Sequence, residues 1–107
     1  MKNLLLETWK IKSIEHESHH EKNMIETLEY VNKIAKKKGI IIPRHRYYKS
    51  TENNLERLFI LEFNDMEHQN EWFNTIRDDS FNKYVEQWEE LTKNFKMDNW
   101  NISWASK

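Results

Sequence analysis

Residues 16–20 read His-Glu-Ser-His-His and match the H-E-x-x-H pattern of zinc hydrolases. In such a site two histidines one helical turn apart bind zinc, the glutamate activates a water molecule, and a third protein ligand completes the coordination. Both histidines must therefore lie on one helix. Ser18 and Glu21 instead form a Ser-x-x-Glu capping box, which predicts that the helix begins at Ser18. We therefore interpret the motif as a solvated, histidine-rich loop and predict no specific metal site.

Three further side chains could carry acid/base chemistry, namely Glu7, His45 and Glu62. Each lies on a predicted strand near aromatic residues, and a carboxylate or imidazole in a hydrophobic cleft has a perturbed pKa that suits proton transfer. For the two glutamates, the alternative is a structural ion pair with an arginine on a neighbouring strand. The predicted walls of the cleft are the aromatic side chains of Trp9, Tyr47, Trp72, Phe73 and Trp88.

The number of tryptophans, five, is relevant to whether such a cleft exists. Large aromatic side chains belong to the core by default, but a domain of 107 residues has only a modest core. We therefore expect part of the aromatic surface to line a cavity or to be covered by a second chain. For Trp72 both interpretations, core residue and cleft wall, stay open at this point.

The composition argues against several classes of protein. Because the chain has no cysteine, it cannot form a disulfide framework or a thiolate metal site. The 17 basic and 18 acidic side chains nearly cancel, so no net field favours nucleic acid or an anionic membrane. Residues 44–49 mix basic and aromatic side chains as RNA-binding sheets do, but no RNP-like run accompanies them, and we predict no nucleic-acid partner. No apolar run approaches the length of a membrane span, so we expect a cytoplasmic protein without a membrane partner.

The pattern of apolar residues predicts a single domain over residues 1–107 with the order βαββαβ. This order is typical of a ferredoxin-like α+β fold, in which helices cover one face of an antiparallel four-stranded sheet. The predicted elements are a strand at 4–13, a helix from Ser18 to Gly39, extended segments at 40–42 and 44–49, a strand at 58–63, a helix capped by Asn64 or Asp65 and recapped at 78–80, and a strand through Trp100, Ile102 and Trp104.

Both faces of the predicted sheet are apolar in two of its strands. Residues 4–6 are three consecutive leucines, and residues 58–61 read Leu-Phe-Ile-Leu. Side chains alternate between the two faces of a strand, and one layer of helices can cover only one of them. A second copy of the chain is the simplest cover for the other face, so the sequence predicts a homodimer that forms through the sheet.

The stretch from 58 to 88, LFILEFNDMEHQNEWFNTIRDDSFNKYVEQW, resembles the dimeric α/β-barrel superfamily, particularly its NIPSNAP-like and antibiotic-biosynthesis-monooxygenase-like domains. Those domains have an apolar strand that ends near a glutamate, an Asp-capped helix with an inward Trp or His, and a short break before a second helical piece. Glu62, Asp65, Trp72 and the pair Ser80-Phe81 stand in those positions. The resemblance implies a homodimer, with a ligand cleft between sheet and helices in each subunit.

Members of this superfamily include cofactor-independent monooxygenases of polyaromatic substrates, heme-degrading monooxygenases, isomerases and proteins without known activity. The heme-degrading members use an Asn on the first strand, a Trp on the second helix and a later His as heme ligand. Here Glu7 stands near the first position and Trp72 near the second, but residues 81–88 contain no histidine. The resemblance therefore does not imply heme degradation by that route, and we predict no cofactor.

Two functions follow from the resemblance. The first is a cofactor-independent, monooxygenase-like enzyme or a binder of a small aromatic ligand in the helix–sheet cleft. The second is a non-catalytic dimeric module for protein interaction. An open cleft with a buried carboxylate or histidine would favour the first, and a cleft filled by its own tryptophans would favour the second.

Overall fold

The computed structural model describes residues 2–101, which form a four-stranded sheet and three α-helices. The sheet order is β2-β3-β1-β4, and each neighbouring pair of strands is antiparallel. This confirms the predicted ferredoxin-like α+β fold. The elements are β1 (Asn3–Ile11), a 3-10 turn (Ile14–His16), α1 (Glu17–Lys38), β2 (Arg44–Lys49), β3 (Glu56–Phe63), α2 (Met66–Ile76), α3 (Asp79–Leu91) and β4 (Thr92–Asn101).

The helix ends follow from local chemistry. Gly39 ends α1 with a φ of 72°, in the left-handed region where glycine carries no Cβ penalty. Asp65 caps α2 by accepting a hydrogen bond from the backbone N–H of His68 at 2.7 Å. Asp78 caps α3 by accepting from the backbone N–H of Phe81 at 2.8 Å. These observations confirm the predicted end of α1, the start of α2 and the break before α3.

The predicted start of the first helix is wrong. The side chain of Ser13, not that of Ser18, caps this region, by accepting from the backbone N–H of Glu15 at 3.3 Å. One 3-10 turn follows, and α1 begins at Glu17. The reason is tertiary, because the first turns of α1 place Glu17, His20 and Glu21 in a hydrogen-bonded cluster on the sheet.

One strand prediction also needs correction, and another is made more exact. Residues 40–42, predicted as extended, are not part of β2, which begins at Arg44 directly after Pro43. The last strand begins at Thr92 rather than near Trp100, and it pairs with β1 through a register shift between Thr8 and Lys10. The predicted strand residues Ile102 and Trp104 lie outside the residues that the structure describes.

The two faces of the sheet differ in what covers them. Along β1 and β3 the odd-numbered residues face the helices. Five of them form the core with residues of α1 and α2, namely Leu5, Trp9, Phe59, Leu61 and Phe63. Leu4, Leu6, Leu58 and Ile60 alternate with them on the opposite face and are only partly buried. Tyr48 and Trp100 share that face by register, and 45% and 59% of their surface is exposed. None of the helices described between residues 2 and 101 has the length and hydropathy of a membrane span.

Candidate functional site

A cavity of about 300 Å³ lies between the helix-facing side of the sheet and all three α-helices. This volume is at the lower end of the range for small-molecule sites, which are concave and mostly apolar with few polar groups. Residues of β1, β3 and β4 form its floor, and residues of α1, α2 and α3 form its roof. Its aromatic lining consists of Trp9, Phe59, Trp72, Phe73, Phe81, Tyr84 and Trp88, with Phe95 on β4.

Glu7 places a carboxylate on the floor of this cavity. It lies in the middle of β1, opposite Phe59 on β3 and Met97 on β4. Among residues 2–101 no hydrogen bond or ion pair engages its side chain, and burial among these neighbours raises its pKa to about 7. Burial destabilises the charged form of a carboxyl group, so the group gains or loses a proton close to neutral pH. The ion pair with an arginine that would make this residue structural is not formed within the described residues.

The wall beside Glu7 is built of edge-to-face aromatic rings. Trp9 and Trp88 meet in a T-shaped arrangement with ring centroids 5.2 Å apart, and Trp88 meets Phe95 in the same way at 5.4 Å. Such contacts fix the ring planes and present flat apolar surfaces. The indole Nε1 of Trp88 is shielded from solvent and has no hydrogen-bond partner among the residues described.

Behind Trp9 lies a polar cluster that we call the Arg57 cluster; it consists of Glu17, His20, Glu21, Tyr47, Lys49 and Arg57. The Arg57 side chain is only 2% exposed, and its guanidinium donates to Glu17 at 2.7 Å, to Glu21 at 3.3 Å and to the hydroxyl of Tyr47 at 3.1 Å. Tyr47 donates to Glu21 at 2.8 Å. A buried charge is tolerated only with such pairing, so the cluster is a coherent structural unit.

His20 joins this cluster to the cavity wall. It is completely buried, and its Nε2 accepts a hydrogen bond from the indole N–H of Trp9 at 2.9 Å. An indole N–H can only donate, so the proton of the neutral imidazole must lie on Nδ1, which is 3.1 Å from Glu21 Oε1. Burial lowers the pKa of His20, which favours this neutral form.

The interpretation of residues 16–20 as a solvated loop is therefore wrong. Glu17 and His20 lie on α1; Glu17 accepts hydrogen bonds from Arg57 and Lys49, while the Nε2 lone pair of His20 is used by Trp9. A zinc-binding histidine needs one ring nitrogen with a free lone pair, and the other nitrogen of His20, Nδ1, carries the proton that faces Glu21. Between residues 2 and 101, no three His, Cys, Asp or Glu side chains are grouped so that they could hold a metal ion. Two of the motif residues instead support the cavity wall from behind, His20 through Trp9 and Glu17 through Arg57.

The structure brings together five of the predicted site residues and separates three. Glu7, Trp9, Trp72, Phe73 and Trp88 all line the cavity. The hydroxyl of Tyr47 belongs to the Arg57 cluster behind Trp9. His45 is exposed on the edge strand β2, with its ring 6.0 Å from that of Phe59. Glu62 lies on the opposite face of the sheet, where Lys2 donates to it at 3.4 Å.

Several site residues were not predicted. Phe95 and Met97 line the cavity from β4, a part of the chain that the sequence pattern did not assign to a strand. His20 and Arg57 were missed as supports of Trp9. The signal for Arg57 was present, since it shares a strand face with Phe59 and Leu61 and must therefore be buried with them.

No protein-family model matches the chain, and no curated protein matches it in sequence. Solved structures do match. SnoaB, a cofactor-independent oxygenase from Streptomyces nogalater, superposes with a TM-score of 0.74 at 8% identity, over 97% of this chain and 95% of that chain. A NIPSNAP family protein from Agrobacterium tumefaciens also gives 0.74 at 8% identity, over 96% and 94%. A protein from Nitrosomonas europaea, assigned to the antibiotic biosynthesis monooxygenases, gives 0.73 at 5% identity, over 99% and 94%.

At these identities the matches establish the fold and not the activity. They cover nearly the whole of each chain, so the similarity concerns the complete domain and not one motif. They confirm the resemblance that residues 58–88 indicated. This chain has the fold that SnoaB, NIPSNAP-family and antibiotic-biosynthesis-monooxygenase-like proteins share.

Proposed function

We propose that the cavity binds a flat aromatic small molecule and that Glu7 removes a proton from it. The observation that carries the proposal is the carboxyl group of Glu7, which lies in a cavity of about 300 Å³ among aromatic rings and has a pKa raised to about 7. A general base is most effective when its pKa lies near the working pH. The apolar rings supply shape and stacking surface for a planar ligand.

An acidic C–H group is the substrate feature that such a base could use. A methylene group next to an aromatic ketone loses a proton to give an anion that is delocalised over the rings. The apolar wall of Trp9 and Trp88 would stack on this planar anion, while Glu7 holds the proton. Proton transfer by a positioned base typically contributes a rate factor of about 10²–10⁴.

The similarity to SnoaB supports an extension of this proposal to oxygenation. An anion of this kind can react with O₂ itself. In a balanced reaction the methylene carbon loses two hydrogens and gains one oxygen atom, O₂ is reduced, and its second oxygen atom leaves as water. Glu7 returns the first proton to the peroxide anion, which gives a hydroperoxide. Glu7 then removes the second proton from the same carbon as the O–O bond breaks, and the departing hydroxide takes up that proton to leave as water. The proposal thus names O₂ as the oxidant and requires no cofactor.

The open cavity favours this function over a purely non-catalytic interaction module. A module of that kind would have its cleft filled by its own tryptophans, whereas here Trp72 and Trp88 line a cavity that contains a carboxylate. The carboxylate also costs stability when it is ionised, because no partner within the described residues compensates its burial. Such a cost is typical of functional sites.

The proposal predicts proton exchange in a suitable probe. Anthrone, a flat tricyclic ketone with an acidic methylene group, should exchange its methylene protons for deuterium faster in the presence of the protein. The reaction is followed by proton NMR in anaerobic D₂O buffer at pH 8, where Glu7 is largely ionised. Glu7→Gln should reduce the protein-dependent rate by about 10²-fold or more, because glutamine cannot accept the proton.

Glu62→Gln is the matched control for this experiment, because Glu62 lies on the same sheet but on the face away from the cavity. It should leave the exchange rate unchanged. Probe binding is measured separately by fluorescence quenching, and Glu7→Gln should keep it. Equal exchange rates for the parent protein and Glu7→Gln would show that Glu7 is not the base.

We further propose that the uncovered sheet face forms a homodimer. Leu4, Leu6, Leu58 and Ile60 provide an apolar surface there, and Tyr48 and Trp100 extend it toward the two edges of the sheet. Burial of such a surface is favourable by about 25 cal/mol per Å². A twofold arrangement would bury the same surface on both copies.

The dimer proposal predicts a mass near twice 13.3 kDa by light scattering at micromolar concentration. Ile60→Asp, which places a charge on the uncovered face, should give monomers. Glu29→Lys, at an exposed position of α1, serves as the control and should stay dimeric. A parent protein with a mass near 13.3 kDa at all micromolar concentrations would contradict the proposal.

A further inference from the structure

We propose that His20 is a positioning residue for the ligand cavity: as a neutral imidazole it holds the indole of Trp9 in place, and its protonation releases that wall. The inference depends on the proposed function at one point, namely that Trp9 contacts the ligand. The geometric part stands on the hydrogen bond from Trp9 Nε1 to His20 Nε2, 2.9 Å long between two side chains with no more than 2% exposure.

The geometry makes this hydrogen bond depend on the protonation state of His20. Trp9 offers one donor and no acceptor, so the bond exists only while Nε2 carries a free lone pair. Protonation puts an N–H on Nε2, directly opposite the indole N–H. The two donors then repel each other, and one of the two rings must move. Because both rings are buried, the movement changes the packing between Trp9 and Trp88, whose centroids are 5.2 Å apart.

Charged and titratable groups face His20 from three elements. Glu17 and Glu21 lie on α1 itself, Tyr47 lies on β2 and Arg57 on β3, while β1 contributes the neutral Trp9. Glu21 favours the imidazolium, whereas burial and Arg57 disfavour it, and burial has the largest effect. The pKa of His20 is accordingly below its usual value, so the neutral form prevails at neutral pH and the release occurs on acidification.

The Arg57 cluster explains why the imidazole cannot simply turn away. Glu21 accepts from His20 Nδ1 at 3.1 Å and from Tyr47 at 2.8 Å, and Arg57 lies against the same oxygen at 3.3 Å. These bonds hold the ring in one orientation with Nε2 toward Trp9. The Arg57 cluster therefore fixes the orientation of His20, and His20 in turn fixes the position of Trp9 in the cavity wall.

The test has a spectroscopic arm that needs no ligand. The indole N–H of Trp9, assigned by its loss in Trp9→Phe, is followed by ¹H–¹⁵N NMR between pH 7.5 and 4.5. In the parent protein its resonance should shift with one titration step below pH 6.5. In His20→Gln, where the amide oxygen can accept from Trp9 and the amide N–H₂ can donate to Glu21, the resonance should stay constant.

The second arm measures binding of anthracene, a flat aromatic probe without an ionisable group, in the Glu7→Gln background so that Glu7 does not titrate. Affinity should fall about five- to tenfold on acidification, the size expected for loss of one hydrogen bond, and His20→Gln should abolish this fall. His20→Leu should bind the probe weakly at every pH. Circular dichroism at each pH establishes that the variants are folded.

The two measurements distinguish the positioning role of His20 from the proposed ligand cavity. A titrating Trp9 resonance without probe binding would contradict the ligand cavity and keep the role of His20 toward Trp9. Probe binding that does not change with pH, together with a constant Trp9 resonance, would overturn the positioning role. A Trp9 resonance that titrates equally in His20→Gln would also overturn it, because another group would then be responsible.

Discussion

Glu7→Gln should stabilise the folded protein at pH 8 and leave its stability almost unchanged at pH 4. The pKa of Glu7 is raised by burial from 4.5 to about 7. Below pH 4.5 the carboxyl group is protonated in both the folded and unfolded states, and it contributes no pH dependence. Between pH 4.5 and 7 the unfolded state loses the proton first, so the free energy of unfolding falls as the pH rises. Above pH 7 the carboxyl group is ionised in both states, and the free energy of unfolding falls no further on its account.

The expected gain for Glu7→Gln at pH 8 is about 2–3 kcal/mol, since each unit of pKa shift corresponds to about 1.4 kcal/mol and the group is only partly buried. Thermal unfolding at pH 4, 6 and 8 measures it, and the difference between the variant and the parent should grow over this series. Glu62→Gln, which removes a carboxylate paired with Lys2 on the other sheet face, should show no such growth. A variant that is less stable than the parent at pH 8 would contradict the buried, unpaired state of Glu7.

Trp72→Ala should cost about 3–5 kcal/mol of unfolding free energy, the range measured for truncation of buried aromatic residues. Trp72 fits both interpretations that the sequence left open, core residue and cleft wall. It lines the cavity, and yet it is only 2% exposed and belongs to the core cluster. Domains of this size are stable by about 5–15 kcal/mol, so the variant should be close to unfolding. Urea unfolding at 25 °C measures the loss.

Trp88→Ala is the matched comparison for Trp72→Ala. Trp88 also lines the cavity, but it is only partly buried and lies on α3, whose described residues include none that is fully buried. Its removal should cost much less stability and should weaken binding of anthracene instead. Trp72→Phe, which keeps an aromatic ring in the core, should recover most of the stability. A loss below 1 kcal/mol for Trp72→Ala would show that the core does not depend on this indole.

The parts of the fold that local chemistry determines could be predicted from the sequence. Gly39 ends α1, and Asp65 and Asp78 start the helices that follow, because capping and left-handed conformation depend on residues near in sequence. The start of α1 could not be predicted in this way. Ser18 is a good N-cap, but the helix begins at Glu17 because His20 and Glu21 must meet Trp9 and Tyr47 on the sheet.

The alternation of side chains along a strand was sufficient to predict part of the site. Alternation places Glu7 and Trp9 on one face of β1, and both line the cavity. The same rule puts Glu62 on the face opposite Phe59, Leu61 and Phe63, so its position outside the cavity could have been derived. His45 and Tyr47 share the helix-facing side but lie on β2, the edge strand. Strand order depends on long-range pairing, which residue patterns do not specify.

The most direct test of the account is the pKa of the Glu7 carboxyl group in the free protein. It is measured by ¹³C NMR of protein labelled at the glutamate side-chain carboxyl, from pH 3 to 9, with Glu7→Gln to assign the signal. We predict one glutamate resonance that titrates with a midpoint near pH 7 and is missing from the variant. If every glutamate of the parent protein titrates below about pH 5, close to the reference value of a solvated carboxyl group, Glu7 is not a base poised for neutral pH and the proposed function is contradicted.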